Sequence, residues 1–378
     1  MKQPVDPIVL YMCEIEQFGG AERSLLALSR WLHRRKLSHY LLTYHDHCNI
    51  AKYADHPLNV TALNPAGGAW NKIQALRRHC KEHRVIGSRL LGNGYQPALH
   101  ATLAGVRGFH NLMHDTPSLF GDALTRSLKT KLRLALSSSI VGYGSRSGGK
   151  TIVTSEYLKG ECLKDFGVSS YIVRMGGFSP SKPAPYVSPA SRPPRRFNLL
   201  SVCRVEENKR IDWILRSLAL ISRSAIAPLD SPLNALADWH LDIVGKGQLI
   251  SSLQALSLSL GISEYVTFHG FVPDADLEVF YNKADLSLTP AVQGYGIPAI
   301  EALRRSVPVL LHRESGVSDI LLDTPWATVL SGGPDDLTPA LAQAIHGVLC
   351  GRQIGVSPPR IPTEEEWAEG VAKLCGWA

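Results

Sequence analysis

The apolar positions along the chain alternate between two periods. PIVLYMCEI (residues 7–15) is a short continuous apolar run, the pattern of a strand covered on both faces. A Gly-containing turn, QFGGAE, leads into AERSLLALSRWLHRR, whose apolar residues fall at helical spacing. HYLLTYHD predicts a strand, residues 71–84 a helix, FHNLMHD a strand ending at His114 and Asp115, and KTIVTS another strand. EYLKGECLKDFGV predicts a helix closed by Gly167. Strands alternating with helices predict a doubly wound α/β sheet.

The stretch from Pro180 to Arg196 holds six prolines and cannot form a regular element, so it marks a domain boundary. After it the alternation restarts. FNLLSVCRV, WHLDIVG, YVTFHG, DLSLTPA, SVPVLLHRE and ATVLSG read as strands. RIDWILRSLALIS, QLISSLQALSLSLG, DADLEVFYNKA and IPAIEALRRS read as helices, and residues 222–238 as a surface insertion. The last helix opens with a capping box, Thr363 with Glu366 three residues on. The pattern predicts two domains, 1–186 and 187–362, with helix 363–378 packing back on the first. Ligands of such sheets bind outside the carboxyl ends of the strands.

Composition changes this picture little; charge and cysteines add to it. At 378 residues the chain suits two cores, and its 44% hydrophobic and 19% charged residues are ordinary for a globular protein. No apolar run is long enough to span a bilayer, and the first residues lack a signal-peptide pattern, so a cytoplasmic protein is expected. Seven scattered cysteines without a Cys-x-x-Cys pair predict reduced thiols and no zinc site. Residues 1–190 hold 24 Lys and Arg against 12 Asp and Glu, net +12; the rest hold 16 against 21, net −5. The basic half suggests an anionic partner, whether a phosphorylated acceptor, a membrane surface or nucleic acid, with solvated surface charge as the alternative.

Several motifs carry candidate chemistry. Gly144 to Thr151 matches the phosphate-loop pattern, but Lys150 and Thr151 run into a strand rather than a helix, so a flexible loop is the better reading. Gly19 and Gly20 sit at a strand-to-helix turn that admits an anion. Arg204 and Lys209 follow the first strand after the linker, where two cations could converge on a diphosphate, or where they could pair with Glu206 and Glu207. In QGYGIPAIEAL, Gly294 and Gly296 permit unusual dihedrals and Pro298 opens a helix. Glu301, one turn further on, could accept two ribose hydroxyls or simply partner the helix dipole.

These pieces, in this order, resemble glycosyltransferase family 4, retaining nucleotide-sugar-dependent transferases of the GT-B fold, which has two Rossmann-like domains facing a central cleft. The resemblance rests on FGGAERSLL, IVTSEYLKGECLKDFGV, LLSVCRVEENKRIDWILRSL, DIVGKGQL, YVTFHGFVPDADLEVFYNKADLSLTPA and QGYGIPAIEALRRSVPVL. It implies transfer of a sugar from a nucleotide diphosphate sugar to an acceptor hydroxyl, without metal or other cofactor. Arg204 and Lys209 would hold the diphosphate. Gly19, Gly20, Gly245, Phe271, Gly294, Tyr295, Gly296, Ile297 and Glu301 would bind the donor, and His114 would stand near the reacting sugar. Gln293 stands where the family has an acid, so the chain departs from the pattern at the position that usually contacts the transferred sugar. The implied acceptor is a glycan or a lipid-linked or phosphorylated molecule of cell-surface polysaccharide synthesis. Its setting would be the inner face of the cytoplasmic membrane, with no nucleic-acid partner. A non-catalytic nucleotide-sugar binder or scaffold of the same fold is the alternative, with an epimerase behind it.

Overall fold

The computed structural model describes residues 6–16, 18–117, 127–176, 186, 196–224 and 238–378. The chain divides into two compact units, residues 1–176 with 362–378, and residues 177–361. Most of the proline run and of the 222–238 insertion lie outside the described residues.

The first unit carries β1 (Ile8–Tyr11), β2 (Glu14–Ile15), α1 (Gly20–Arg34), β3 (His39–Thr43), β4 (His45–Asp46), β5 (Val60–Ala62), α2 (Ala69–Glu82), β6 (Leu90–Asn93), α3 (Tyr95–Leu103), β7 (His110–Met113), α4 (Leu128–Ser145), β8 (Thr151–Val153), α5 (Glu156–Phe166) and β9 (Tyr171–Ile172). Seven of these strands form a parallel sheet in the order β5-β3-β1-β6-β7-β8-β9. The expected single strand over residues 7–15 is broken: β2 leaves the main sheet and pairs with β4, Glu14 opposite His45. The phosphate-loop look-alike is a packing device. Gly144 lies in α4 against Thr102, and a Cβ on Gly149 would stand 1.6 Å from the Phe109 carbonyl oxygen. The glycines let α4 and β8 approach their neighbours.

The second unit carries β10 (Phe197–Val202), α6 (Ile211–Ser224), β11 (Trp239–Val244), α7 (Ile250–Ser259), β12 (Val266–Gly270), α8 (Asp274–Lys283), β13 (Leu286–Thr289), α9 (Ile297–Arg304), β14 (Val309–His312), β15 (Ala327–Leu330) and α10 (Pro334–Leu349). Its parallel sheet runs β12-β11-β10-β13-β14-β15. Leu199, Leu241, Ile243, Leu286, Leu288 and Leu310 fill the core with Ile214, Leu218 and Ile345 from the helices. Strand order reverses between β10 and β13, which opens a crevice at their carboxyl ends.

The final helix, α11 (Glu364–Leu374), packs on α1 of the first unit. Thr363 caps it through the Glu366 amide, and Arg30 and Arg34 pair with Glu364 at 3.0 Å and Glu365 at 2.9 Å. Trp367 is 1% exposed, so burial of its ring outweighs these surface ion pairs. Trp367→Ala should cost about 3–5 kcal/mol of stability. Urea unfolding of the intact chain checks this, and a loss below about 1 kcal/mol would show that α11 is not anchored by its tryptophan.

Candidate functional site

Five loops leave the carboxyl ends of β10 to β14 on one edge of the second sheet. Glycine lets them crowd together. Gly245 follows β11 at φ +141, and a Cβ there would stand 1.8 Å from the Cys203 carbonyl oxygen. Gly296 ends the loop after β13 at φ +114, where a Cβ would meet Ser315 Oγ at 2.6 Å and Gln293 Nε2 at 2.9 Å. Both dihedrals favour glycine. Gly296 is the N-cap of α9, and Pro298 sits in its first turn.

Gln293 is the hub of this edge. Its backbone bridges to the loop after β14: its N–H donates to Glu314 O at 3.1 Å, and Gly316 N–H donates to Gln293 O at 3.1 Å. Its side chain accepts from Lys209 Nζ at 3.0 Å and donates to Ser315 Oγ at 3.0 Å. Asn208 fastens the other wall, exchanging backbone and side-chain hydrogen bonds with Val292. Lys209 ends a short 3₁₀ turn, Glu207–Lys209, after β10. Burial pulls its ammonium below the usual lysine range.

The two cations sit in different surroundings, though Arg204 is near enough to act electrostatically on Lys209. Arg204 points outward, its side chain 58% exposed, and pairs with Glu206 at 2.9 Å, as the surface reading of the sequence allowed. Arg210 is closed by Glu314 at 2.7 Å. Among the described residues no carboxylate lies within ion-pair reach of Lys209. Glu301 lies in α9 and accepts the Tyr281 hydroxyl at 3.0 Å. Phe271 is 65% exposed after β12 and carries the Lys246 ammonium 5.1 Å from its ring centroid, a flat ring at the rim of the same edge. Tyr295 is buried; its carbonyl accepts from Val317 N–H, and Ile297 begins α9.

The remaining candidates belong to the first unit. His114 and Asp115 line a cavity of about 560 Å³ with Met12, Glu14, Asn93 and Tyr95. Asn93 Oδ1 lies 2.6 Å from His114 Nε2, and its amide nitrogen donates to Ala21 O at 3.3 Å. That orientation puts the imidazole proton on Nε2 and leaves Nδ1 an acceptor. Burial brings the imidazole down to about 4, so it is neutral at pH 7. The Gly19–Gly20 turn is less open than its sequence suggests. Gly19 is extended (φ −143) and its N–H donates to Glu22 Oε2 at 3.0 Å, so the chain's own carboxylate occupies the start of α1. Glu14, His45 and His47 cluster near the cavity, but Lys72 and His45 Nδ1 take the two Glu14 oxygens, which makes the group an ion-pair network.

Sequence reasoning missed Asn93, Asn208 and Ser315. Asn93 had a legible signal, the apolar run LLGN of β6; Ser315 had none, because its role depends on β14 lying beside the loop after β13.

Comparison with known proteins fits this geometry. Residues 189–347 match the family model "Glycosyl transferases group 1". A GDP-mannose-dependent alpha-(1-6)-phosphatidylinositol monomannoside mannosyltransferase of Mycolicibacterium smegmatis is 28% identical over 210 residues, 52% of this chain and 51% of the relative. The match thus spans about half the length of that relative. Among solved structures, WaaG, a glycosyltransferase involved in lipopolysaccharide biosynthesis, superposes with a TM-score of 0.71 at 16% identity, covering 98% of this chain and 100% of WaaG. HepE of Anabaena, solved in complex with UDP, gives a TM-score of 0.65 at 15% identity over 97% of this chain and 94% of its own. With the two parallel sheets described above, the solved structures identify the architecture as GT-B, and residues 189–347 are similar to the group 1 glycosyl transferases.

Proposed function

We propose that the chain is a retaining, metal-independent hexosyltransferase of the family 4 group that moves a sugar from a nucleotide diphosphate sugar to an acceptor hydroxyl. The observation that carries this reading is Lys209: a half-buried ammonium at the carboxyl edge of a doubly wound sheet, held by an amide beside a glycine loop and a helix N-terminus. Such a cation stabilises a departing diphosphate as its charge develops. In the proposed step the bond from the anomeric carbon to the β-phosphate oxygen breaks and a bond to the acceptor oxygen forms on the same face. The acceptor proton passes to the departing phosphate. Phe271 suits a nucleobase and Glu301 a ribose. A GDP-mannose-dependent relative and a UDP-bound neighbour support a nucleotide-sugar donor. A non-catalytic binder remains the second reading, favoured by one observation, the amide Gln293 where the family pattern has an acid.

The proposed acceptor is a lipid-linked or phosphorylated glycan precursor, bound by the basic first unit at an anionic membrane in the cytosol. Seven free cysteines agree with a reducing setting. No helix among the described residues is long and apolar enough to cross a membrane. The start of α4 supports peripheral attachment instead. Leu128, Leu132 and Leu136 are 82%, 72% and 64% exposed and form one stripe, flanked by Lys129, Lys131 and Arg133. Leucines entering an acyl layer beside cations on lipid headgroups match this arrangement. Thr130 and Leu134 of the same helix line the first unit's cavity.

Nucleoside diphosphate released from GDP-mannose and UDP-glucose should appear slowly in water, and Lys209→Ala should lower that rate at least about a hundredfold. Tight donor binding with no release from any donor, with or without acceptor, would favour the binder. Separately, co-sedimentation with phosphatidylglycerol vesicles should fall several-fold in Leu132→Glu/Leu136→Glu and with added salt. Equal sedimentation of wild type and variant would remove α4 as the attachment surface.

A further inference from the structure

We infer that Gln293 sets the charge that the site offers a nucleoside diphosphate: it leaves the Lys209 ammonium un-neutralised, and the pocket holds the leaving nucleotide more tightly than an acid at this position would allow. The inference rests on the reading of this edge as a nucleotide diphosphate site.

The hydrogen-bond directions make the amide a fitted part. Ser315 is fully buried, and its hydroxyl donates to the Tyr295 carbonyl at 3.1 Å. Its one hydrogen is spent there, so it presents a lone pair to position 293. Gln293 answers with its Nε2 donor at 3.0 Å, and that orientation turns Oε1 onto Lys209 Nζ at 3.0 Å. A carboxylate has no donor to give Ser315. It would face the serine lone pair or force the hydroxyl off Tyr295, and it would ion-pair with Lys209 at contact distance. The backbone bridges from Gln293 to Glu314 and Gly316 hold the main chain at this position whichever side chain it carries.

The charges around Lys209 sharpen the effect. Glu206 is taken by Arg204, and Glu314 by Arg210. Cys203 lies close, but burial pushes its thiol up to about 11, so it stays neutral. An amide at 293 therefore leaves one full positive charge, partly desolvated, whose natural partner is an incoming anion. The ligand class is one with a diphosphate; a bare nucleoside gains nothing from it.

The test is calorimetric titration of the intact chain with UDP, GDP and inorganic pyrophosphate, using wild type, Gln293→Glu and Gln293→Met. Methionine keeps length and neutrality but makes neither hydrogen bond. The expected result is that Gln293→Glu weakens nucleoside diphosphate and pyrophosphate binding about tenfold or more, Gln293→Met stays within about threefold of wild type, and the gap narrows in high salt. Uridine and guanosine should bind all three proteins alike. Two results overturn the inference while leaving the donor site standing: Gln293→Glu binding as tightly as wild type, or Gln293→Met losing as much as Gln293→Glu, which would make position 293 a structural support. Wild type that ignores all three anions, with its fold intact by circular dichroism, would overturn the donor-site reading and this inference with it.

Discussion

Parallel strand pairing is the constraint from which the rest of the second unit follows. A parallel sheet needs a crossover after every strand, and each crossover covers a face, so its polar loops collect at the strand ends. β10 pairs with β11 on one side and β13 on the other, Leu199 opposite both Leu241 and Leu286. That placement brings the turn holding Lys209 beside the loop holding Gln293, which are far apart in sequence. The hydrophobic core contributes no chemistry, but it fixes where a lysine and an amide meet.

Much of this was legible in the sequence, because the period of apolar residues is a direct image of burial. The strands of the second unit fall where the apolar runs place them, and the Thr363 cap forms as its spacing predicts. Legibility failed where tertiary contact outweighs local pattern. The run over residues 7–15 looks uniform, yet β2 turns away to pair Glu14 with His45. The start of α4 is apolar on its outer face as well as toward the cavity, so its pattern lacks a clear polar side and does not announce a helix.

The site was legible in its residue types and less so in their partners. Lys209, Gln293 and Gly296 meet at one loop edge. Arg204 and Lys209 look equivalent on paper but differ in the fold: one is solvated and paired, the other half-buried and bonded to an amide. Exposed ion pairs contribute little, whereas a desolvated cation changes what a pocket binds. Gly19 is the reverse case. A glycine pair that reads as a ligand cradle has its first N–H occupied by Glu22, a contact that three-residue spacing could have revealed.

The proposed donor site lies at one location, the carboxyl edge of the second sheet. Hydrogen exchange followed by mass spectrometry, with and without UDP or GDP, tests that assignment most directly. Slowed exchange is expected in the segments around residues 203–210 and 293–297, the two loops joined by Lys209 and Gln293, with the β15 edge unchanged. Protection confined to other segments, or none under saturating nucleotide, would contradict it.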